Sequence, residues 1–453
     1  MSTGAVHRLP LYGWLTAEAI SLTGTRVSMI ALPWFVLSTT GSATQTGLVA
    51  FADMFPLVTL KALAGPLVDR VGARRIAIGA DAASAVAVGL VPLLYTLGML
   101  SFPALLALVA LAGALRGPGD GAKNAMVPDL VEHAGVPMER ATGLASAVER
   151  TASMAGAAIA GGLVALIGAA DALLLDAASF LVSAAVLTAC TRRLRPAAMR
   201  AATLAAAAGR APAEAPGDTA ATAPVASPPA GSADDGDISY LRRLREGWDF
   251  LRSDPLLLGI SLMVAVTNLF DTAYVSVLVP VWAKQSGGGP GSVGLLFAVF
   301  SGGAVLGAVV AATWAARLPR YRTYLVAFLI CGAPRFFVLA FDLPLGGVLA
   351  YGAVAGFGSG FINPVLGAVI FERIPAHLVG RVSSLNSALC WSLMPFGGVV
   401  GGLLIGGVGL TPALLVCGAA YLAATMLPAL QPRWREMDTR RAVREERAAT
   451  LAV

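Results

Sequence analysis

Apolar residues fall along this chain in long blocks rather than in short periodic stripes. Crossing the hydrocarbon core of a bilayer takes about 20 mainly apolar residues. On that rule, candidate spans cover residues 11–39, 44–68, 76–98, 102–128, 141–167 and 170–192. A second set covers 254–283, 291–316, 322–342, 345–371, 383–407 and 410–431. Between the sets, residues 197–236 are rich in Ala, Pro, Ser and Gly, have little to bury, and read as a tether. The pattern therefore predicts an all-α membrane protein with twelve transmembrane helices in two groups of six. The expected division is an N-terminal bundle at 1–193, a linker with an amphipathic helix at 194–253, a C-terminal bundle at 254–432 and a tail at 433–453. In that linker helix Leu241, Leu244, Trp248 and Leu251 recur at helical spacing, with Arg242, Arg243 and Arg245 off the stripe. Such a helix suits the membrane surface or the protein's own face.

Composition agrees. Of 453 residues 57% are hydrophobic and 13% charged, with mean hydropathy +0.76. A soluble domain averages about 25% charged residues, so the bilayer is the fitting solvent. The net charge of +6 would be a weak pointer to nucleic acid; its placement gives it another meaning. One face of the predicted topology carries Arg70, Arg74, Arg75, Arg140, Arg192, Arg193, Arg317, Arg320, Arg322, Arg373 and Arg381, and Lys284 stands alone on the other. The positive-inside rule then places both termini in the cytoplasm, as an even span number requires. The expected setting is a multi-pass cell membrane protein, monomeric, with the lipid bilayer as its solvent and no nucleic-acid partner. Cys190, Cys331, Cys390 and Cys417 lie in apolar runs and read as packing residues.

No catalytic or cofactor chemistry converges. His7, His133 and His377 show no metal spacing. The glycine-rich runs Gly352 to Gly360 and Gly397 to Gly407 lack the Lys-Ser/Thr ending of a nucleotide loop. Neither an enzyme nor an ATP-driven pump is expected, and no cofactor.

Charges inside spans are the informative residues, since each costs about 2.5–3.5 kcal/mol on insertion scales and usually faces a cavity or a partner. Arg26, Asp53, Arg116 and Asp271 lie near midspan; Glu18, Lys61, Asp120, Lys123, Glu149 and Arg150 lie nearer an end. Arginine stays protonated, so Arg26 and Arg116 offer fixed positive charge, favouring an acidic group on a substrate. Asp271, Asp53, Glu18 and Glu149 could take and release a proton. Arg116 and Asp120, four apart, face each other if Gly117-Pro118-Gly119 stays helical. Asp81 and Asp176 read as helix-packing residues, and Arg335 as a paired or snorkelling one.

Between the second and third spans stands Gly65-Pro-Leu-Val-Asp69-Arg70-Val-Gly72-Ala-Arg74-Arg75. The Asp could accept charge-assisted bonds from an Arg or a helix N-terminus and latch one conformation. This loop, with the six-plus-six layout and central linker, resembles the major facilitator superfamily over nearly the whole chain, at Gly65, Asp69, Arg70, Gly72, Arg74 and Arg75. Arg116-Gly-Pro-Gly-Asp120, the Arg-Glu-Gly-Trp-Asp-Phe-Leu-Arg helix and Gly380-Arg-Val-Ser-Ser384 resemble its drug, macrolide and siderophore exporter branch. The resemblance implies that the first, fourth, seventh and tenth spans line a central cavity, which makes Arg26, Arg116 and Asp271, with Asn268 and Asn363, its candidate residues. The glycine-rich fifth span, Ala155 to Gly162, lacks the Gly-Pro pair common in the family's antiporters, and the second loop copy near Trp314 to Arg322 lacks the Asp. The expected function is secondary active export of a small amphipathic organic molecule by proton antiport through alternating access. An ion-coupled importer and a non-transporting receptor or scaffold are the rivals.

Overall fold

The computed structural model describes residues 3–192, 236–314, 317–341, 343–375 and 378–438. The expected tether at 197–236, all but its last residue, lies outside them. Among the described residues twelve helices are long and apolar enough to span a membrane: Arg8–Thr40, Ala43–Leu63, Ala73–Thr96, Phe102–Ala134, Arg140–Ile167, Ala169–Cys190, Pro255–Gln285, Gly289–Trp314, Arg320–Ala340, Leu345–Ile370, Val382–Val408 and Leu410–Leu430. They are called spans 1 to 12 in that order. Both termini leave from one side, here the terminal side.

Spans 1 to 6 pack on one another, as do spans 7 to 12. Each half turns between its last two spans on one left-handed glycine, Gly168 at φ 87° and Gly409 at φ 86°. Only glycine takes that conformation without steric cost. The match at equivalent places is a trace of the internal repeat, and it explains how a connection as short as Ile167 to Ala169 can reverse the chain. Large apolar side chains such as Leu166, Leu181 and Leu306 stay exposed, which is their favoured state where the neighbour is lipid.

Lipid gives helices no hydrophobic reason to associate, so small residues set the contacts. Gly113 and Gly117 of span 4 lie against the main chain of span 2 at Asp53 and Leu57; a Cβ at Gly117 would sit 2.6 Å from the Leu57 carbonyl oxygen. Span 11 carries two such pairs. Gly397 and Gly401 face span 7, where a Cβ at Gly397 would lie 2.8 Å from Thr272 Cβ. Gly398 and Gly402 face span 2 of the other half at Gly47, Ala50, Ala43 and Thr44. The glycine run that superficially suggested a phosphate loop is a double packing rail.

On the terminal side, ion pairs bind the ends of the second half together. Asp254 caps span 7 by accepting from the backbone N–H of Leu256 and Leu257, and takes Arg373 Nε at 2.6 Å. Arg373 also reaches Glu436 at 3.4 Å, while Arg320 holds Glu372 in a two-point pair at 2.7 and 2.8 Å. The backbone N–H of Arg320 donates to Asp438, and Trp434 packs on Tyr324, so the start of the tail is fixed beneath this bundle. The linker helix spans Gly236–Ser253. Its Leu251 is fully buried with Leu257, Ile374 and Val382, whereas Trp248 remains exposed. Its end therefore docks on the protein's own face.

Candidate functional site

A cavity of about 220 Å³ lies at mid-depth between the halves, lined from spans 1, 2, 3, 4, 6, 7 and 11. Most of the lining is apolar: Met29, Leu32, Val49, Val88, Leu108, Val275 and Met394 among others. Its charged groups are Asp53, Arg116, Asp176 and Asp271, with Asn268 as a polar neighbour. Four of the expected residues thus meet here: Asp53, Arg116, Asp271 and Asn268.

The glycine contact of spans 2 and 4 brings Asp53 and Arg116 together. Gly113 lets the backbones touch, and Arg116 Nη1 then lies 3.3 Å from Asp53 Oδ1. Span 4 stays helical through Pro118, as its Phe102–Ala125 segment shows. The guanidinium nonetheless bonds to Asp53, with Asp120 and Asp176 in electrostatic reach. Proximity across the interface wins over the i,i+4 spacing.

Asp271 sits just before a π-helical turn, Tyr274–Leu278, that interrupts span 7. Such turns insert a residue into the helical register and recur at functional sites. Its partner is Arg335 of span 9, whose guanidinium lies 4.8 Å from the Tyr274 ring, 5.1 Å from Phe336 and 5.2 Å from Tyr421. Arg335 also lines a small second cavity of about 60 Å³ behind span 7. Asn268, one turn earlier, donates to the Cys390 carbonyl at 2.9 Å, close to the break of span 11 between Trp391 and Met394.

Other expected residues are placed elsewhere. Arg26 does not line the cavity; its Nη1 points to Met29 Sδ, and Glu149 and Arg116 lie in electrostatic reach. Gly156 of span 5 packs on its stem. Glu149 is exposed. Glu18 joins a buried knot, where Lys123 Nζ lies 3.9 Å from Glu18, 3.0 Å from Asp81 and 3.1 Å from Ser21 Oγ. Asn363 is exposed, and span 10 supplies none of the lining, against the expectation that it would. Hydropathy places a residue in depth; its direction around the helix is set by packing, and here that turns Arg26 and Asn363 away.

Sequence reasoning took Asp176 for a pairing residue at a helix contact and did not place it at the cavity. It lines the cavity from span 6, 1% exposed, and accepts hydroxyl bonds from Ser28 and Ser179. The available signal was a midspan carboxylate with no basic residue one turn away on its own helix.

The signature loop forms a short helix, Gly65–Val71, ended by Gly72 at φ 96°, a conformation that accounts for that glycine. Arg74 Nε donates to Thr191 Oγ1 at 2.8 Å and its Nη2 to the Thr188 carbonyl, tying the loop to the end of span 6. Asp69, Arg70 and Arg75 are exposed, and Asp69 has no partner among the described residues. Gly65 has open space where a Cβ would be.

On the side opposite the termini the halves meet closely. Span 2 lies on span 11 as described, and Gly161 of span 5 lies on Gly294 of span 8. Lys284 Nζ donates to the Leu37 carbonyl at the end of span 1, 2.6 Å away, beside a vestibule lined by Thr44, Gln285 and Gly406.

Against known proteins, the family model for the Major Facilitator Superfamily matches residues 14–272 and 261–451. The chain is 29% identical over 435 residues to "Multidrug efflux pump Tap" of Mycobacterium tuberculosis, covering 95% of this chain and 96% of that one. It is 28% identical over 433 residues to the protein of that name from Mycolicibacterium fortuitum, with coverage of 95% and 96%. Among solved structures, a bacterial homologue of the human lysosomal transporter Spinster, inward-facing and unoccupied, superposes with TM-score 0.63 at 14% identity, covering 96% and 98%. The nucleoside transporter NupG superposes with TM-score 0.62 at 13% identity, covering 94% and 98%. Both share the fold. With twelve spans in two matched halves and the signature loop in place, the chain belongs to the major facilitator superfamily, a family of transporters rather than enzymes.

Proposed function

We propose that the protein is a secondary active exporter that moves small amphipathic molecules bearing a basic group out of the cell in exchange for protons. The observation that carries this is the charge of the cavity wall. Three carboxylates, Asp53, Asp176 and Asp271, and one arginine, Arg116, face a chamber whose other lining is mostly apolar. With Arg335 counted behind Asp271, one negative charge is left over at membrane depth, where an unbalanced ion is expensive. A cationic substrate or a proton can balance it, and competition between the two is antiport. This replaces the acidic substrate group expected from Arg26 and Arg116, since Arg26 faces elsewhere and Arg116 is engaged by Asp53. The name of the mycobacterial relatives, multidrug efflux pump, supports export.

Orientation follows the arginine asymmetry, with both termini cytoplasmic. The contacts opposite the termini then close the extracellular side, and the arrangement is inward-facing. The moving bodies are residues 1–193 and 254–432, rocking about the cavity. The helix with Asp69 is the latch that engages when the cytoplasmic side closes.

The test is flux in proteoliposomes with an imposed pH gradient. Ethidium, an amphipathic cation, should accumulate against its gradient and redistribute when the pH difference is collapsed. Movement that ignores the pH gradient, or none for ethidium and neutral and anionic dyes alike, would sink this reading.

A further inference from the structure

We propose that Asp176 is the carboxylate that carries the coupling proton. This rests on the antiport reading above. Within the cavity Asp53 has Arg116 at 3.3 Å and Asp271 has Arg335. Among the described residues Asp176 has only hydroxyl partners on its carboxylate, Ser28 Oγ on Oδ2 and Ser179 Oγ on Oδ1. At 1% exposure it has no water to stabilise a charge. A carboxylate so placed is an uncompensated buried ion and a carboxylic acid so placed is not. Hydroxyls suit both states, because each can donate to the ionised group or accept from the protonated one.

The surrounding charges fit a site that is loaded and unloaded. Arg116 of span 4 and Asp53 of span 2 are the ionisable groups whose fields reach Asp176. One guanidinium therefore serves two carboxylates. While Arg116 bonds to Asp53, Asp176 holds the proton; when a cation enters the cavity, Asp176 can release it and be balanced by the newcomer. Span 3 faces span 6 with Asp81, which is engaged by Ser183 at 2.6 Å and Lys123 at 3.0 Å, two turns along from Asp176. Span 1 faces it with Ser28 and with Gly24, where a Cβ would lie 2.6 Å from Asp176 Oδ1. Span 5 faces span 1 at Arg26 with Gly156 and carries Glu149, which pairs in electrostatic reach with Arg26. The step itself is simple: the O–H bond of Asp176 breaks, the proton leaves through the open side, and the carboxylate remains paired to the incoming cation.

The experiment measures protons released when ethidium binds purified full-length protein in weakly buffered detergent solution, with a pH indicator dye. Wild type is expected to release about one proton per ethidium. Asp176→Asn, which lacks the carboxylate that balances the cation, should bind ethidium more weakly at neutral pH, release about one proton fewer per ethidium bound, and lose the fall in affinity at low pH. Asp176→Asn that releases the wild-type number overturns the assignment and leaves antiport standing. Wild type that binds ethidium with no proton release removes the antiport reading itself. Should the Asn variant fail to fold, Ser28→Ala decides. Loss of its donated bond should move the pH midpoint of proton release up by about one unit, and an unmoved midpoint overturns the assignment.

Discussion

Replacing Gly161 with alanine puts one methyl group where span 5 meets span 8. The added Cβ would lie 2.5 Å from Gly294 Cα, 2.8 Å from Gly294 N and 3.1 Å from the Pro290 carbonyl oxygen. Ordinary contact is about 3.5–4.0 Å, so the two halves must part by roughly 1–1.5 Å there, enough to forfeit about half or more of each pairwise attraction. Both neighbours are backbone, so no rotamer change relieves the overlap. Overpacking of this kind costs about 1–3 kcal/mol. Acting only on the closed face opposite the termini, that shifts the balance toward the open one by about 5- to 150-fold. Gly162, next in the chain, has nothing within 4 Å of its Cβ position and is the matched control. The assay is labelling of Ser276→Cys, a cavity residue, by a membrane-impermeant maleimide added outside, in a background with the four native cysteines changed to serine. Gly161→Ala should raise the rate at least fivefold and Gly162→Ala should leave it alone. An unchanged rate in a folded, monodisperse Gly161→Ala protein would show that this contact does not hold the seal.

Lys284→Met removes the bond to the Leu37 carbonyl; since Lys284 is largely exposed, the loss should be about 0.5–1 kcal/mol, read as a two- to fivefold rise in the same labelling, and no rise would exclude it from the seal. Burial works to raise the pKa of Asp254, but the bond and charge of Arg373 and the N–H groups of Leu257 and Leu256 outweigh it and hold the carboxyl below its usual value. A folded pKa below the unfolded one stabilises above about pH 4 and loses that contribution as pH falls through the folded value. Melting temperature in detergent should drop over that range, and Arg373→Ala should destabilise by about 1.5–3 kcal/mol at neutral pH and flatten the acid limb; an Arg373→Ala protein with the wild-type melting curve would remove the pair from the account. Asp69→Asn should slow ethidium transport severalfold while leaving the melting temperature of this conformation unchanged, because Asp69 has no partner among the described residues; full transport would discard the latch.

Depth along the chain was legible in the sequence and direction around each helix was not. Apolar length has to match the bilayer, so the spans emerged within a few residues. Asp53, Arg116 and Asp271 were found because charged groups at midspan depth are rare, and Asn268 because the family resemblance implied that its span faces a cavity. Their pairings depend on which helices touch. Gly113 decides that Arg116 meets Asp53 before Asp120, and the packing of span 9 behind the π-turn decides that Arg335 holds Asp271. Asp176 was read as a packing residue because nothing in a linear pattern says whether a carboxylate across the bundle has a cation beside it.

The double glycine rail of span 11 gives that helix an unusual place in the mechanics. At one height it is flush against Thr272 and Ala273, next to Asp271, and on its other face against Gly47 and Ala50 of the opposite half. A Thr44 hydroxyl bond to the Gly402 carbonyl, the Phe51–Phe396 ring contact and the Asn268 bond to the Cys390 carbonyl hold it at points, and between them the faces meet through small residues, so the helix behaves like a bearing with few teeth that must disengage. A displacement at the turn holding Asp271 is thus passed to the boundary between the bodies through the thickness of a single backbone. A side chain added at Gly398 or Gly402 would wedge the two bodies apart, and one at Gly397 or Gly401 would lift span 11 off the turn that holds Asp271, so either breaks the thin connection through which that displacement is passed on.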